Sequence, residues 1–173
     1  MELSARQWVM RAVALALLVV ALGAGPSSVL AVSGAYVHGE MLSVADVAAL
    51  PHVTIAAVEH GGASAQFSGV SLAALLHAAG APVGDAVREL AARSYVVVHA
   101  TDGYVTVFTL AELDPTAATC APIVADARNG APLSTQNGAF EVIAPCDKTH
   151  ARWARNVDAL TVVTIPGPLK TSP

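Results

Sequence analysis

From residue 29 onward the chain alternates short apolar runs with turn-forming residues. Residues 29–37 alternate loosely up to the turn-prone Gly39 and predict a strand. Ser43-Val44-Ala45-Asp46 has the form of a capping box, where a Ser hydroxyl and an acidic side chain satisfy each other's backbone donors. It predicts a short helix to Leu50, stopped by Pro51. Residues 52–58 are rich in β-branched side chains, Gly61 and Gly62 mark a turn, and 64–67 return as a strand. Ser71 caps a helix whose stripe is Leu72, Leu75, Leu76 and Ala79, and Gly80 ends it. Asp85 opens a further helical pattern with Val87, Leu90 and Ala91 on one face. Residues 95–100 and 104–108 read as strands around Asp102-Gly103, the strongest hairpin signal in the chain. Thr109-Leu110-Ala111-Glu112 is a second capping box, closed by Asp114-Pro115. Strands follow at 123–127 and 140–143, around the turn-rich 129–138 stretch, and at 159–165. The tail, residues 166–173, contains three prolines and is expected to fray. Short strands interleaved with short helices predict an α+β fold with a mixed β-sheet, not a regular βαβ series.

Residues 1–28 follow a different pattern. Arg6 and Arg11 precede an apolar run over residues 12–24, which Gly25-Pro26-Ser27-Ser28 ends. That run is shorter than the roughly 20 residues a membrane span needs. A basic start, a short apolar centre and small residues after it describe an export signal. The alternative is an uncleaved anchor. Cleavage falls between about residues 23 and 31, since Ala21-Leu22-Gly23 and Val29-Leu30-Ala31 both satisfy the small-residue rule; the earlier site leaves the first strand whole. No Cys follows the run, and Arg6 and Arg11 are not adjacent, so neither a lipoprotein signal nor a twin-arginine pair is present. The expectation is a periplasmic or secreted protein with no stable membrane insertion after cleavage.

Composition narrows the class. The chain has 173 residues, 54% hydrophobic and 13% charged, which excludes a disordered protein. The expected domain is a single unit over residues 29–165. A net charge of −4 and a pI near 5.8 leave no overall footprint for nucleic acid. Disulfides persist outside the cytoplasm, so export predicts one between Cys120 and Cys146. Their midpoint is residue 133, inside the 129–138 turn region, so strands folding back there would place them opposite each other. The alternative is two separately buried thiols. They form no C-x-x-C motif.

Charge is unevenly distributed. Lys148, Arg152 and Arg155, with His150 among them and only Asp147 opposing, make residues 147–155 net +2 in an otherwise acidic chain. Such a segment suits a small anion through charge-assisted contacts. The alternative is a solvated face with Trp153 in the core. Glu59 and His60, at the end of a predicted strand, are secondary candidates for an acid–base pair or a partial metal site. Two ligands fall short of a closed site, so an exposed strand-end pair is the simpler reading. Tyr104 is a secondary ligand candidate beside the Asp102-Gly103 turn. His38, His52 and His99 are scattered singly and read as structural, and His77 as half-buried. No G-x-S-x-G, phosphate-binding loop or H-E-x-x-H occurs, so hydrolase chemistry has no support.

The order of several motifs carries a resemblance. They are Phe67-Ser68-Gly69-Val70-Ser71-Leu72 with Gly80, then Asp102-Gly103-Tyr104, Leu110-Ala111-Glu112-Leu113 and Asn129-Gly130-Ala131-Pro132-Leu133. Residues 138–145 and Arg152-Trp153 before a Val-rich strand complete the series. Together they resemble the molybdopterin-binding domain of the sulfite-oxidase-like oxidoreductases, particularly its short exported members. The resemblance implies that family's mixed α+β fold, an oxidoreductase ancestry and molybdopterin as the cofactor. It also implies Arg152, in the basic-Trp step, as a contact to the pterin phosphate. Catalytic members bind molybdenum through a Cys upstream of the Phe67 motif; here that stretch, residues 56–62, contains none. Two functions follow as expectations. One is an exported oxidoreductase-like domain that binds a pterin or another anionic ligand. The other is a non-catalytic module for a partner protein of the envelope.

Overall fold

The computed structural model describes residues 28–81, 88–114 and 120–166. The predicted export segment, apart from Ser28, lies outside them, as do Asp85, Val87 and all of the tail beyond Pro166. The fold is α+β, with two five-stranded sheets and three short helices among the described residues.

Sheet A runs in the order β2-β1-β10-β5-β6. Its strands are β1 (Val29–Gly34), β2 (Glu40–Ser43), β5 (Ser94–Ala100), β6 (Val105–Thr109) and β10 (Val157–Thr164). β1 and β10 pair in parallel, and the other pairings are antiparallel, so the sheet is mixed. Sheet B runs β3-β4-β7-β8, from β3 (His52–Val58) through β4 (Ser64–Ser71) and β7 (Ile123–Arg128) to β8 (Ala131–Pro132). β9 (Glu141–Ile143) also pairs with β7. The helices are α1 (Val44–Ala48), α2 (Leu72–Ala78) and α3 (Arg88–Ala92).

Local chemistry explains most element ends. Ser43 and Asp46 form the expected reciprocal capping box at α1. Ser71 Oγ accepts from the Ala74 amide at 3.1 Å and starts α2. Asn129 and Gly130 both have positive φ, 51° and 78°, which the two-residue β7–β8 turn requires. Gly69 is required for space: a Cβ there would lie 2.1 Å from the Val124 carbonyl of β7.

The alternating β5 side chains divide the molecule. Val96 and Val98 join Leu30 and Val32 of β1, Leu160 and Val162 of β10, and Phe108 of β6 in the main core. α2 contributes Leu72, Leu75 and Leu76 to it, and sheet B contributes Val70, Val124 and Val142. A smaller cluster of Phe67, Ile123, Ala125 and Ile143 covers the other face of sheet B. Sheet B is therefore buried on both faces at β7, where Ile123, Val124 and Ala125 are all buried in succession.

Several boundaries differ from the sequence expectation. β1 ends at Gly34, where the chain turns. β2 is new: Glu-Met-Leu-Ser carries no alternating pattern, and its strand form comes from pairing with β1. β4 extends from the predicted 64–67 to Ser71, because β3 and β7 flank it on both sides. The second capping box forms both bonds between Thr109 and Glu112 and opens the single turn expected there; Pro115 lies outside the described residues.

Cys120 and Cys146 are joined in a disulfide with Cα atoms 6.0 Å apart. The register accounts for it: Ile123 pairs with Ile143, and each cysteine lies three residues beyond that pair. The bond ties the segment entering β7 to the loop that follows β9.

Candidate functional site

Three segments meet around a pocket of about 820 Å³. The β3–β4 turn supplies Glu59, His60 and Gly61; the β5–β6 hairpin supplies Asp102 and Tyr104; the loop after β9 supplies Thr149, His150, Ala151, Trp153 and Arg155. Asn137 and Glu141 complete the lining.

Each segment is held in place by hydrogen bonds with a backbone group on at least one side. The Glu59 amide donates to Ala63 O at 2.8 Å, closing the β3–β4 turn. Asp102 Oδ1 accepts from the Tyr104 amide at 2.9 Å, which fixes the second hairpin. The Tyr104 hydroxyl then donates to Ala151 O, clamping this hairpin to the loop. Trp153 Nε1 donates to Ala144 O at 2.9 Å, and its ring packs against both hydrophobic clusters. Phe67, Trp153, His150 and His60 form a line of edge-to-face rings from the core to the surface, with centroids 5.7, 4.5 and 5.2 Å apart.

The acidic lining residues already have partners. Glu59 holds Arg128 of β7 through both carboxylate oxygens, and this hydrogen-bonded pairing keeps Glu59 below the usual carboxylate range. Burial pushes Glu141 upward, against an Asn137 hydrogen bond that pulls it down. Asp102 is occupied by its turn. Arg155 is different: among the described residues it has no ion pair or hydrogen bond, and its side chain is exposed on the pocket wall.

The predicted site residues separate accordingly. Glu59, His60, Tyr104, His150 and Arg155 converge on the pocket. Lys148 is exposed and not part of the lining, and neither is Arg152. Arg152 makes a two-pronged contact with Asp147 at 2.7 and 2.6 Å, and a third bond to Glu112 at 3.0 Å. Its guanidinium also lies 4.5 Å over the Phe108 ring. These contacts raise its pKa further and commit its charge to two carboxylates. The +2 read along residues 147–155 is thus partly neutralised in three dimensions by Glu112, which is remote in sequence.

Glu141, Asn137 and Arg128 were not singled out by the sequence reading. Glu141 had a signal: it is a carboxylate inside the apolar run Phe140-Glu141-Val142-Ile143, where a charge needs a reason. Arg128 had none, because its partner is 69 residues away.

The residues present do not fit a thiolate-ligated molybdenum. The chain has two cysteines, and the disulfide consumes both. Among the described residues no group of three or more His, Cys, Asp or Glu is placed to hold a metal. Also among them, no helix is long and apolar enough to cross a membrane.

Comparison with known proteins adds one finding. The chain matches the crystal structure of the sulfane dehydrogenase SoxCD from Paracoccus pantotrophus with a TM-score of 0.63 at 15% identity. The match covers 80% of this chain and 38% of that one. The fold is shared. No protein-family profile matches the sequence, and neither does any curated protein.

Proposed function

We propose that this protein is an exported binding domain on a fold shared with sulfane dehydrogenase, and that its pocket takes a small anionic ring compound. Arg155 is the anion contact, Trp153 and Tyr104 supply flat apolar surface, and His60 and His150 supply polar contacts. The observation that carries the reading is Arg155: an exposed guanidinium on the pocket wall that, among the described residues, makes no ion pair or hydrogen bond, its charge felt by the buried Glu141 without direct contact. A pterin is one member of this ligand class. Oxidoreductase ancestry follows from the motif resemblance, but no redox step is assigned, because the chain offers no thiolate to a metal. The disulfide supports an oxidising location, periplasmic or secreted.

The experiment is binding of a pterin phosphate by tryptophan fluorescence, reading Trp153. Arg155→Ala is expected to weaken binding about tenfold or more, as loss of a charged contact does. Arg152→Ala should act chiefly on stability. Equal affinity of wild type and Arg155→Ala would overturn the anion reading.

A second reading, a docking module for an envelope protein, draws on sheet A. Val105, His99, Ala159, Ala31 and Met41 lie side by side across its outward face, with no Asp, Glu, Lys or Arg among them. Val105 is 50% and Met41 69% exposed. A docking role would survive Arg155→Ala and be lost when Val105 and Val107 are replaced by Lys.

A further inference from the structure

His60 and His150 lie on segments 90 residues apart, yet their Nδ1 atoms face each other at 3.4 Å. The Nε2 of His150 lies 2.6 Å from the Val58 carbonyl oxygen. A carbonyl only accepts, so this Nε2 carries the proton and the His150 Nδ1 presents a lone pair. In the metal-free protein the His60 Nδ1–H is the donor to that lone pair. Among the described residues His60 Nε2 has no hydrogen-bond partner, so the proton can sit there instead, leaving a lone pair on each Nδ1.

We infer that His60 and His150 chelate one divalent transition-metal ion through their Nδ1 atoms at the mouth of the pocket. Two imidazole nitrogens, each about 2.0–2.1 Å from a tetrahedral ion, stand about 3.3–3.4 Å apart. The observed separation already matches that bite. Donation of the second ring N–H to a backbone carbonyl is the usual support of a ligating histidine, and Val58 supplies it. His150 is further held by edge-to-face packing on Trp153 at 4.5 Å. Glu59, although adjacent, is committed to Arg128 and is not a third ligand. The remaining coordination positions therefore open to water or to a pocket ligand. Imidazole donors select Cu(II), Zn(II) or Ni(II), with Cu(II) bound most tightly. The inference is independent of the anion reading: it concerns the two rings alone and is tested with the metal alone.

The test is titration of the tag-free full chain with Cu(II), followed by electron paramagnetic resonance, and with Zn(II) by calorimetry. Wild type is expected to bind one equivalent, with hyperfine coupling from two nitrogens. His60→Ala should lower affinity at least tenfold and remove one nitrogen from the spectrum. His150→Ala should do the same, and His99→Ala, outside the pocket, should change nothing. His60 is exposed at a turn, so its variant keeps the fold and decides the matter even if His150→Ala unfolds. Unchanged affinity and stoichiometry in His60→Ala would overturn the inference, as would a wild-type spectrum with one nitrogen. Pterin-phosphate binding in metal-free buffer reads the anion proposal separately.

Discussion

Sheet A and the loop over residues 147–155 are held by different forces. The sheet rests on regular backbone pairing and on an apolar layer of Leu30, Val96, Val98, Phe108 and Leu160, all fully buried. The loop has no strand or helix over most of its length. It is held by the disulfide at one end, by Arg152 on two carboxylates, by the Tyr104 clamp and by the buried edge of Trp153. The difference teaches where function can be placed. A hydrophobic layer tolerates few charges, whereas a loop tied down by a few specific contacts leaves another side chain, Arg155, open to a ligand.

Four experiments would break or sharpen this comparison. Phe108→Ala should cost about 3–5 kcal/mol in urea denaturation, because it leaves a cavity in the layer and removes the ring beneath Arg152. A cost below about 1 kcal/mol would mean that the sheet does not depend on that layer.

Removing the disulfide by Cys120→Ser with Cys146→Ser should cost about 3–4 kcal/mol, the loop-closure value for a separation of 26 residues. Limited proteolysis should then cut first near residues 144–155, with sheet A still protected. Simultaneous loss of protection in both regions would show that they form one cooperative unit.

Arg152→Ala should cost about 1–2 kcal/mol, since it leaves Asp147 and Glu112 without their cation. The side chain is 32% exposed, which keeps the cost below that of a buried pair. Hydrogen exchange should rise in the loop and not in β5 or β10.

The smallest effect concerns sheet B. His52 reaches from β3 to Asp126 of β7 at 2.9 Å, and this bond, helped by the Leu50 carbonyl, raises its pKa above 6.5. Folding therefore favours the protonated ring. Its stabilisation is complete below the unfolded pKa and fades as pH rises through the higher folded value. His52→Gln should lose about 0.5 kcal/mol more at pH 5.5 than at pH 9, measured by denaturation at both. A larger deficit at pH 9 would reverse the assignment. Glu59 carries the opposite sign: its lowered pKa gives a contribution present at neutral pH and lost as pH falls.

Much of the fold was legible from local chemistry. Ser43-Val44-Ala45-Asp46, Ser71 and Asp102-Gly103 each encode their own geometry within four residues, and each forms as expected. The Cys120–Cys146 bond was legible because strand register is arithmetic: a turn centred between two residues places them opposite. β2 was not legible, since a short polar strand exists only through its neighbour. Half of the site followed from sequence as well. His150, Arg155, Glu59, His60 and Tyr104 were all candidates, but nothing local said that they meet.

By itself the sequence determined the α+β class, the main caps and hairpins, a disulfide as the expected state of its two cysteines, and the lack of a cysteine in residues 56–62. These depend on contacts a few residues long, on register or on composition. Only the tertiary structure decided which cation remains open. Arg152 and Arg155 are three residues apart and chemically alike. Glu112, brought in by the β6 turn, helps neutralise the first, while among the described residues the second forms no ion pair and acts on the buried Glu141 only through its field. Charge compensation acts across space and not along the chain, so no reading of the sequence order could separate them.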